Sequence, residues 1–198
     1  MQKIGITGDI GSGKTTVCRV FEHFGVPVYY SDAEAKKFYN QKEVKDKLYC
    51  LFGGEIFTEK YDIDKKKLAQ TVFNNADLLQ KLNRIIHPLV LTDFEQWSKN
   101  HEKHCYILFE SAILYSCKLT HLFDKIIFVD APANLIVERA MKRDKATSSE
   151  IKKRLTAQSS TEKPSITPDY IIYNNEKQLI IPQIMEIHRK LIVDLLIC

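Results

Sequence analysis

Gly8-Asp9-Ile10-Gly11-Ser12-Gly13-Lys14-Thr15 is the stretch from which the fold of this chain is read. It fits G-x-x-x-x-G-K-[ST], the phosphate-binding P-loop. Glycines at those places let the backbone turn so that successive N–H groups point inward at phosphate oxygens. A helix starting after the loop adds unsatisfied N-terminal donors and a positive dipole end. In such a loop Gly11, Ser12, Gly13, Lys14, Thr15 and Thr16 bind the phosphates of ATP. The Lys14 amine reaches the β- and γ-phosphates, and the Thr15 hydroxyl ligates Mg²⁺. Lys14 is expected to face solvent until phosphate arrives.

The flanks agree with this reading. Lys3-Ile4-Gly5-Ile6-Thr7 suits a buried strand. Val17, Val20, Phe21 and Phe24 recur at helical spacing, and Gly25 is a helix stop. Strand, glycine loop and helix follow in the order a P-loop requires.

All seven glycines fall within the first 54 residues. No D-x-x-G switch can therefore follow the P-loop, and N-K-x-D and L-S-G-G-Q are absent as well. These absences argue against a GTPase switch and an ABC ATPase, and leave a phosphotransferase as the natural class. The 198 residues suit one domain with an inserted subdomain. Hydrophobic content of 44% and charged content of 27% are those of a soluble globular chain, and the apolar runs are far too short to cross a bilayer. The chain opens directly on its first strand, which leaves no room for a secretory leader, so the cytoplasm is expected and a membrane partner is not. A net charge of +4 is a mild excess that a polyanionic small substrate, or chance, explains as well as nucleic acid would. No nucleic-acid partner is expected. Cys18, Cys50, Cys105, Cys117 and Cys198 form no C-x-x-C pair and read as reduced thiols.

Five apolar segments alternate with helical stretches: residues 3–7, 27–30, 106–109, 126–129 and 170–173. This predicts an α/β fold of the P-loop type, a five-stranded parallel sheet with flanking helices. Ligands bind such sheets at the carboxyl ends of the strands. A polar residue stands at each of those ends: the P-loop, Ser31-Asp32, Glu110, Asp130 and Asn174. Asp130, before Ala131-Pro132, also reads as a strand-end turn or a helix cap. Asp32 also reads as the cap of a helix beginning at Ala33.

Between the second and third strands the pattern predicts helices over 33–40, 43–52, 64–73 and 77–98, with Pro88 kinking or breaking the last. Residues 39–100 are read as a helical insertion that binds a second substrate; plain scaffold is the alternative. Residues 139–165 carry Arg139, Lys142, Arg143, Lys145, Lys152, Lys153, Arg154 and Lys163. Beside a P-loop they suit a lid that brings cations to a transferring phosphate, although some of these lysines simply solvate a helix face. Ile184, Ile187, Leu191 and Leu195 mark an amphipathic C-terminal helix over 179–196.

The combination resembles the dephospho-CoA kinase family over essentially the whole chain. Residues 4–15 are similar to the family's opening, with Asp9 in place of a glycine. Tyr30-Ser31-Asp32 falls where the family has D-A-D, and only the second Asp is kept. Asp62-Ile63-Asp64, Leu68 and Val72-Phe73 resemble G-x-L-D-R-x-x-L-x-x-x-V-F, with Tyr61 near the usual glycine and Lys65 for the arginine. Leu82-Asn83-Arg84-Ile85-Ile86-His87-Pro88 resembles L-N-x-I-x-H-P, and Leu108-Phe109-Glu110 resembles L-L-F-E. Arg139 to Asp144 is similar to the lid's R-x-x-x-R-D, with Ile136 where a Gln is frequent. Arg154 and Gln158 match R-x-x-x-Q, and Asp169 to Asn174 matches D-x-V-I-x-N.

The resemblance implies a nucleoside-monophosphate-kinase-like fold with ATP, Mg²⁺ and dephospho-CoA as its partners. The core would be 1–38, 101–138 and 166–198, the acceptor-binding insertion 39–100 and the lid 139–165, all one kinase domain that is a monomer or a weak homo-oligomer. Asp32 would take the acceptor proton, and Lys14 and Arg139 would complete the catalytic set. Arg143 and Asn174 would bind ATP, with Asn174 near the base. Asp32, His87, Glu110 and Arg139 would hold the acceptor. The rivals are other small-molecule P-loop kinases, acting on nucleoside monophosphates, shikimate or gluconate, and a nucleotide-gated binding module, which would need the missing switch.

Overall fold

The computed structural model describes residues 1–73, 75–145, 147–158 and 167–196. Lys163 and the side chains of Arg154, Gln158 and Leu195, all singled out above, lie outside what is described. Five strands form one sheet: β1 (Gln2–Thr7), β2 (Val28–Tyr30), β3 (Tyr106–Glu110), β4 (Lys125–Asp130) and β5 (Tyr170–Tyr173). Each lies within one residue of its expected span. The sheet is parallel throughout, in the order β2-β3-β1-β4-β5. The described helices are α1 (Lys14–His23), α2 (Ser31–Phe38), α3 (Lys42–Phe52), α4 (Lys65–Phe73), α5 (Ala76–Lys99), α6 (Ala133–Asp144), α7 (Ser148–Gln158) and α8 (Ile180–Leu196).

The chain divides into two compact units. Met1–Tyr30 with Ser98–Cys198 is one, and Ser31–Trp97 is the other. The helical unit therefore starts at Ser31 and takes in α2, where the sequence suggested a boundary near 39.

In the first unit, β1 is the central strand. It is covered on both faces, which is why it and its neighbours read as continuous apolar runs. Ile4, Ile6, Ile107, Leu108, Ile127 and Val129 are fully buried. Val17, Cys18 and Phe21 of α1 join Ile184, Ile187 and Leu191 of α8 in one core cluster. Phe21 meets Tyr106 edge-on at 6.4 Å, and truncating such a buried ring to Ala costs about 3–5 kcal/mol. His188 on α8 stacks against Phe24, and its Nδ1 lies 2.5 Å from the Tyr106 hydroxyl.

In the second unit, polar side chains fix two helix starts. Asp64 Oδ1 accepts from the Lys66 and Lys67 amides before α4, and Asn75 Oδ1 accepts from Asp77 and Leu78 at the start of α5. Pro88 does not break α5, which runs through it. The helix loses one backbone hydrogen bond there, but Leu82, Ile86, Val90 and Phe94 form a buried stripe along both halves and hold them as one. Tyr61, near the family's usual glycine, sits at φ 59. Its ring stacks on Phe57 at 4.9 Å and its hydroxyl donates to Asp46, which compensate a conformation a glycine would take without strain.

Two expectations about carboxylates are corrected. α2 begins at Ser31, immediately after β2, so Asp32 lies inside its first turn and does not cap a helix starting at Ala33. Asp130 keeps its strand-end place as the last residue of β4 but caps no helix, because the N-cap of α6 is Pro132, with no side-chain cap bond.

Candidate active site

The P-loop leaves the carboxyl end of β1 and closes on itself: the Ser12 amide donates to the Asp9 carbonyl at 3.0 Å. Gly13, at φ 96, is the N-cap of α1 and provides no side-chain cap. A helix opening without a cap leaves its first amides for an anion. Gly11 is required for two reasons. Its φ is 84, and a Cβ there would run into the Ile136 carbonyl oxygen of α6. A Cβ on Gly13 would meet the Asn174 amide.

Lys14 does not face solvent. It is 7% exposed, and its ammonium donates to the carbonyls of Gly8 at 2.9 Å and Asp9 at 3.1 Å. The cation is thus folded into the loop it serves. The Ser12 hydroxyl is buried with no hydrogen-bond partner among the described residues, which ordinarily costs about 1–3 kcal/mol. An orphaned donor, an uncapped helix start and a buried cation in one loop fit a polyphosphate. Thr15 is exposed in the first turn of α1, where its hydroxyl fits Mg²⁺ held jointly with phosphate oxygens. Thr16 beside it is exposed as well.

Glu110, the last residue of β3, is buried and registers with Ile6 on one side and Tyr30 on the other. Its charge and that of Lys14 both act on Cys18, whose thiol is pushed well up, chiefly by burial. Tyr30 replaces the family's first carboxylate. Its phenol is pushed up by burial and hydrogen-bonds Glu22, so this position carries no anion at neutral pH.

On the other side of the P-loop, Asn174 ties three elements together. Its side-chain amide donates to the Ser12 carbonyl at 2.8 Å, its backbone N–H donates to the Asp130 carbonyl at 2.7 Å, and its own carbonyl accepts from Arg139 at 3.2 Å. Arg139 also pairs with Glu176 at 2.9 Å. Arg143 is more exposed and forks onto Asp144 at 2.7 and 3.1 Å. Ile136, where the family frequently has Gln, is buried and reaches Gly11 through its backbone.

Within the helical unit, the Asp32 charge acts on His87. Burial pushes the His87 imidazole down, and the Asp32 charge opposes that shift. Tyr39 joins them, its phenol pushed up by burial and by Asp32. The expected acceptor residues thus fall into two sets: Asp32 with His87 in this unit, and Glu110 and Arg139 in the other.

The family described as dephospho-CoA kinase matches the chain over residues 2–179. The chain belongs to the dephospho-CoA kinase family. It is 41% identical to the dephospho-CoA kinase of Bacteroides fragilis (strain YCH46) over 186 residues, which cover 93% of this chain and 90% of that one. It is 37% identical to the dephospho-CoA kinase of Porphyromonas gingivalis, covering 94% and 93%. A crystal structure from Thermus thermophilus superposes with a TM-score of 0.79 at 25% identity, over 98% of this chain and 97% of that one.

Several contacts were not readable from the sequence. Glu176 and the Ile136 carbonyl belong to no motif, and nothing in the sequence marks their approach to Arg139 and Gly11.

Proposed function

We propose that the chain transfers the γ-phosphoryl group of ATP to the ribose 3′-hydroxyl of dephospho-CoA, forming coenzyme A and ADP. The observation that carries this reading is the family match across nearly the whole chain, P-loop and helical unit included. The bond between the γ-phosphorus and the β–γ bridging oxygen breaks, and one to the 3′-oxygen forms. ADP leaves, and the hydroxyl proton passes to the Asp32 carboxylate. The amides of Gly11 to Thr16 and the Lys14 ammonium hold the phosphates. Arg139 and Arg143 neutralise charge on the equatorial oxygens. Thr15 would hold Mg²⁺, which supplies charge neutralisation on the phosphates when bound.

Asp32, His87, Glu110 and Arg139 orient the acceptor. Asn174 braces the loop beside the base. Residues 139–165 act as the lid and 39–100 as the acceptor-binding part. No described helix is long and apolar enough to cross a membrane, and the reaction is assigned to the cytoplasm. A coupled ADP-release assay tests the reading: ADP should form with dephospho-CoA and stay at background with shikimate, gluconate or a nucleoside monophosphate.

A further inference from the structure

We infer that Glu176 is a positioning residue for the phosphoryl transfer, acting through Arg139. The inference rests on the catalytic reading of Arg139 given above.

Glu176 lies in the loop between β5 and α8 at φ 62, in the left-handed region. A side chain there is strained, and glycine would remove the strain. The strain has a visible counterpart. The Glu176 carboxylate accepts from Arg139 Nη2 at 2.9 Å, while Arg139 Nη1 donates to the Asn174 carbonyl at 3.2 Å. Two acceptors two residues apart thus grip both terminal nitrogens and fix the plane of the guanidinium.

The grip is referenced to the P-loop. Asn174, which supplies one acceptor, is itself bonded to the Ser12 carbonyl at 2.8 Å. The path from Glu176 to the phosphate site is therefore short: carboxylate, guanidinium, Asn174 backbone, Asn174 amide, Ser12. Lys142, one turn further along α6, feels the Glu176 charge but is bonded to Glu138 at 2.8 Å, so the carboxylate is committed to Arg139. A guanidinium has five N–H donors, and the two bonds described use one from each terminal nitrogen. Glu176 therefore orients Arg139 without competing for all of its donors. An arginine that neutralises transition-state charge works best when already oriented. Glu176 itself is 64% exposed in its side chain, so as a plain surface ion pair it would contribute little to stability.

The test is a kinetic cycle on the full chain with ATP, Mg²⁺ and dephospho-CoA. Glu176→Gln and Glu176→Gly are each made alone and together with Arg139→Gln, whose residual transfer is followed with γ-labelled ATP. Either Glu176 substitution alone should lower kcat by about three- to tenfold and move KM for ATP by less than about twofold. The melting temperature should hold in the Gln variant and hold or rise in the Gly variant, which sheds the strained conformation. A merely structural residue would instead lose activity in step with stability. With Arg139 already replaced, neither substitution should lower kcat further. An unchanged kcat in both single variants, or an equal loss in the Arg139→Gln background, overturns the inference. Wild-type kcat in Arg139→Gln alone would overturn the catalytic reading of Arg139, and the role of Glu176 with it.

Discussion

The side-chain amide of Asn174 donates to the backbone carbonyl of Ser12 at 2.8 Å, joining residues 162 apart in sequence. The end of the edge strand β5 is thereby fastened to the phosphate loop, and Gly13 is the residue that leaves room for the contact. Asn174→Ala removes the tie and leaves the sheet intact. The expected outcome is a KM for ATP raised about fivefold or more, with a stability loss of about 1 kcal/mol. Steady-state kinetics beside thermal melting check this, and an unaltered KM would make Asn174 a bystander.

Lys14→Ala should abolish transfer and also lower the melting temperature. The ammonium is buried and bonded to the Gly8 and Asp9 carbonyls. Losing a charged donor to the buried Gly8 carbonyl and the part-buried Asp9 carbonyl costs about 1–3 kcal/mol. Near-wild-type turnover would refute the P-loop reading, and an unchanged melting temperature would refute the internal role of the ammonium.

Asp32→Asn should cut kcat by ~10²–10⁴-fold, the range of general-base effects, with little change in KM for ATP. Asp32 sits in the first turn of α2, so stability should fall by only about 0.3–1 kcal/mol through the helix dipole. If Asp32 serves the helix alone, the melting temperature will move while kcat stays put, and Glu110 becomes the carboxylate to replace next.

His87 and His188 are both pushed below the ordinary imidazole value, each chiefly by burial, and Asp32 partly offsets the shift at His87. With a depressed value in the folded state, each ring binds its proton more readily when unfolded. Their contribution is therefore complete above about pH 6.5 and is lost as pH falls from there toward the lower folded values. Melting temperature should fall on acidification through that window, and His87→Asn should flatten part of the fall. A profile of the same slope in the variant would remove His87 from the effect.

The parallel sheet was legible because its strands are apolar on both faces and are separated by helical periodicity. The P-loop was legible because few loops need three glycines, a lysine and a threonine at fixed spacing. What escaped the sequence depends on backbone geometry between distant segments. Lys14 was expected in solvent because the motif specifies residue types, and only the fold shows the loop's carbonyls curling around the amine. Pro88 was expected to disturb α5, but the buried stripe of Leu82, Ile86, Val90 and Phe94 outweighs one missing hydrogen bond. Glu176 could not be singled out, because a left-handed φ at a polar residue leaves no mark in composition or periodicity.

The most direct test of the account is the identity of the product. The full chain is incubated with ATP, Mg²⁺ and dephospho-CoA, and the product is examined by mass spectrometry and phosphorus NMR. The account predicts one added phosphate, located on the ribose 3′-oxygen, formed in a one-to-one ratio with ADP and identical to authentic coenzyme A. A product phosphorylated at another hydroxyl, or ADP formation with dephospho-CoA left unmodified, would contradict it.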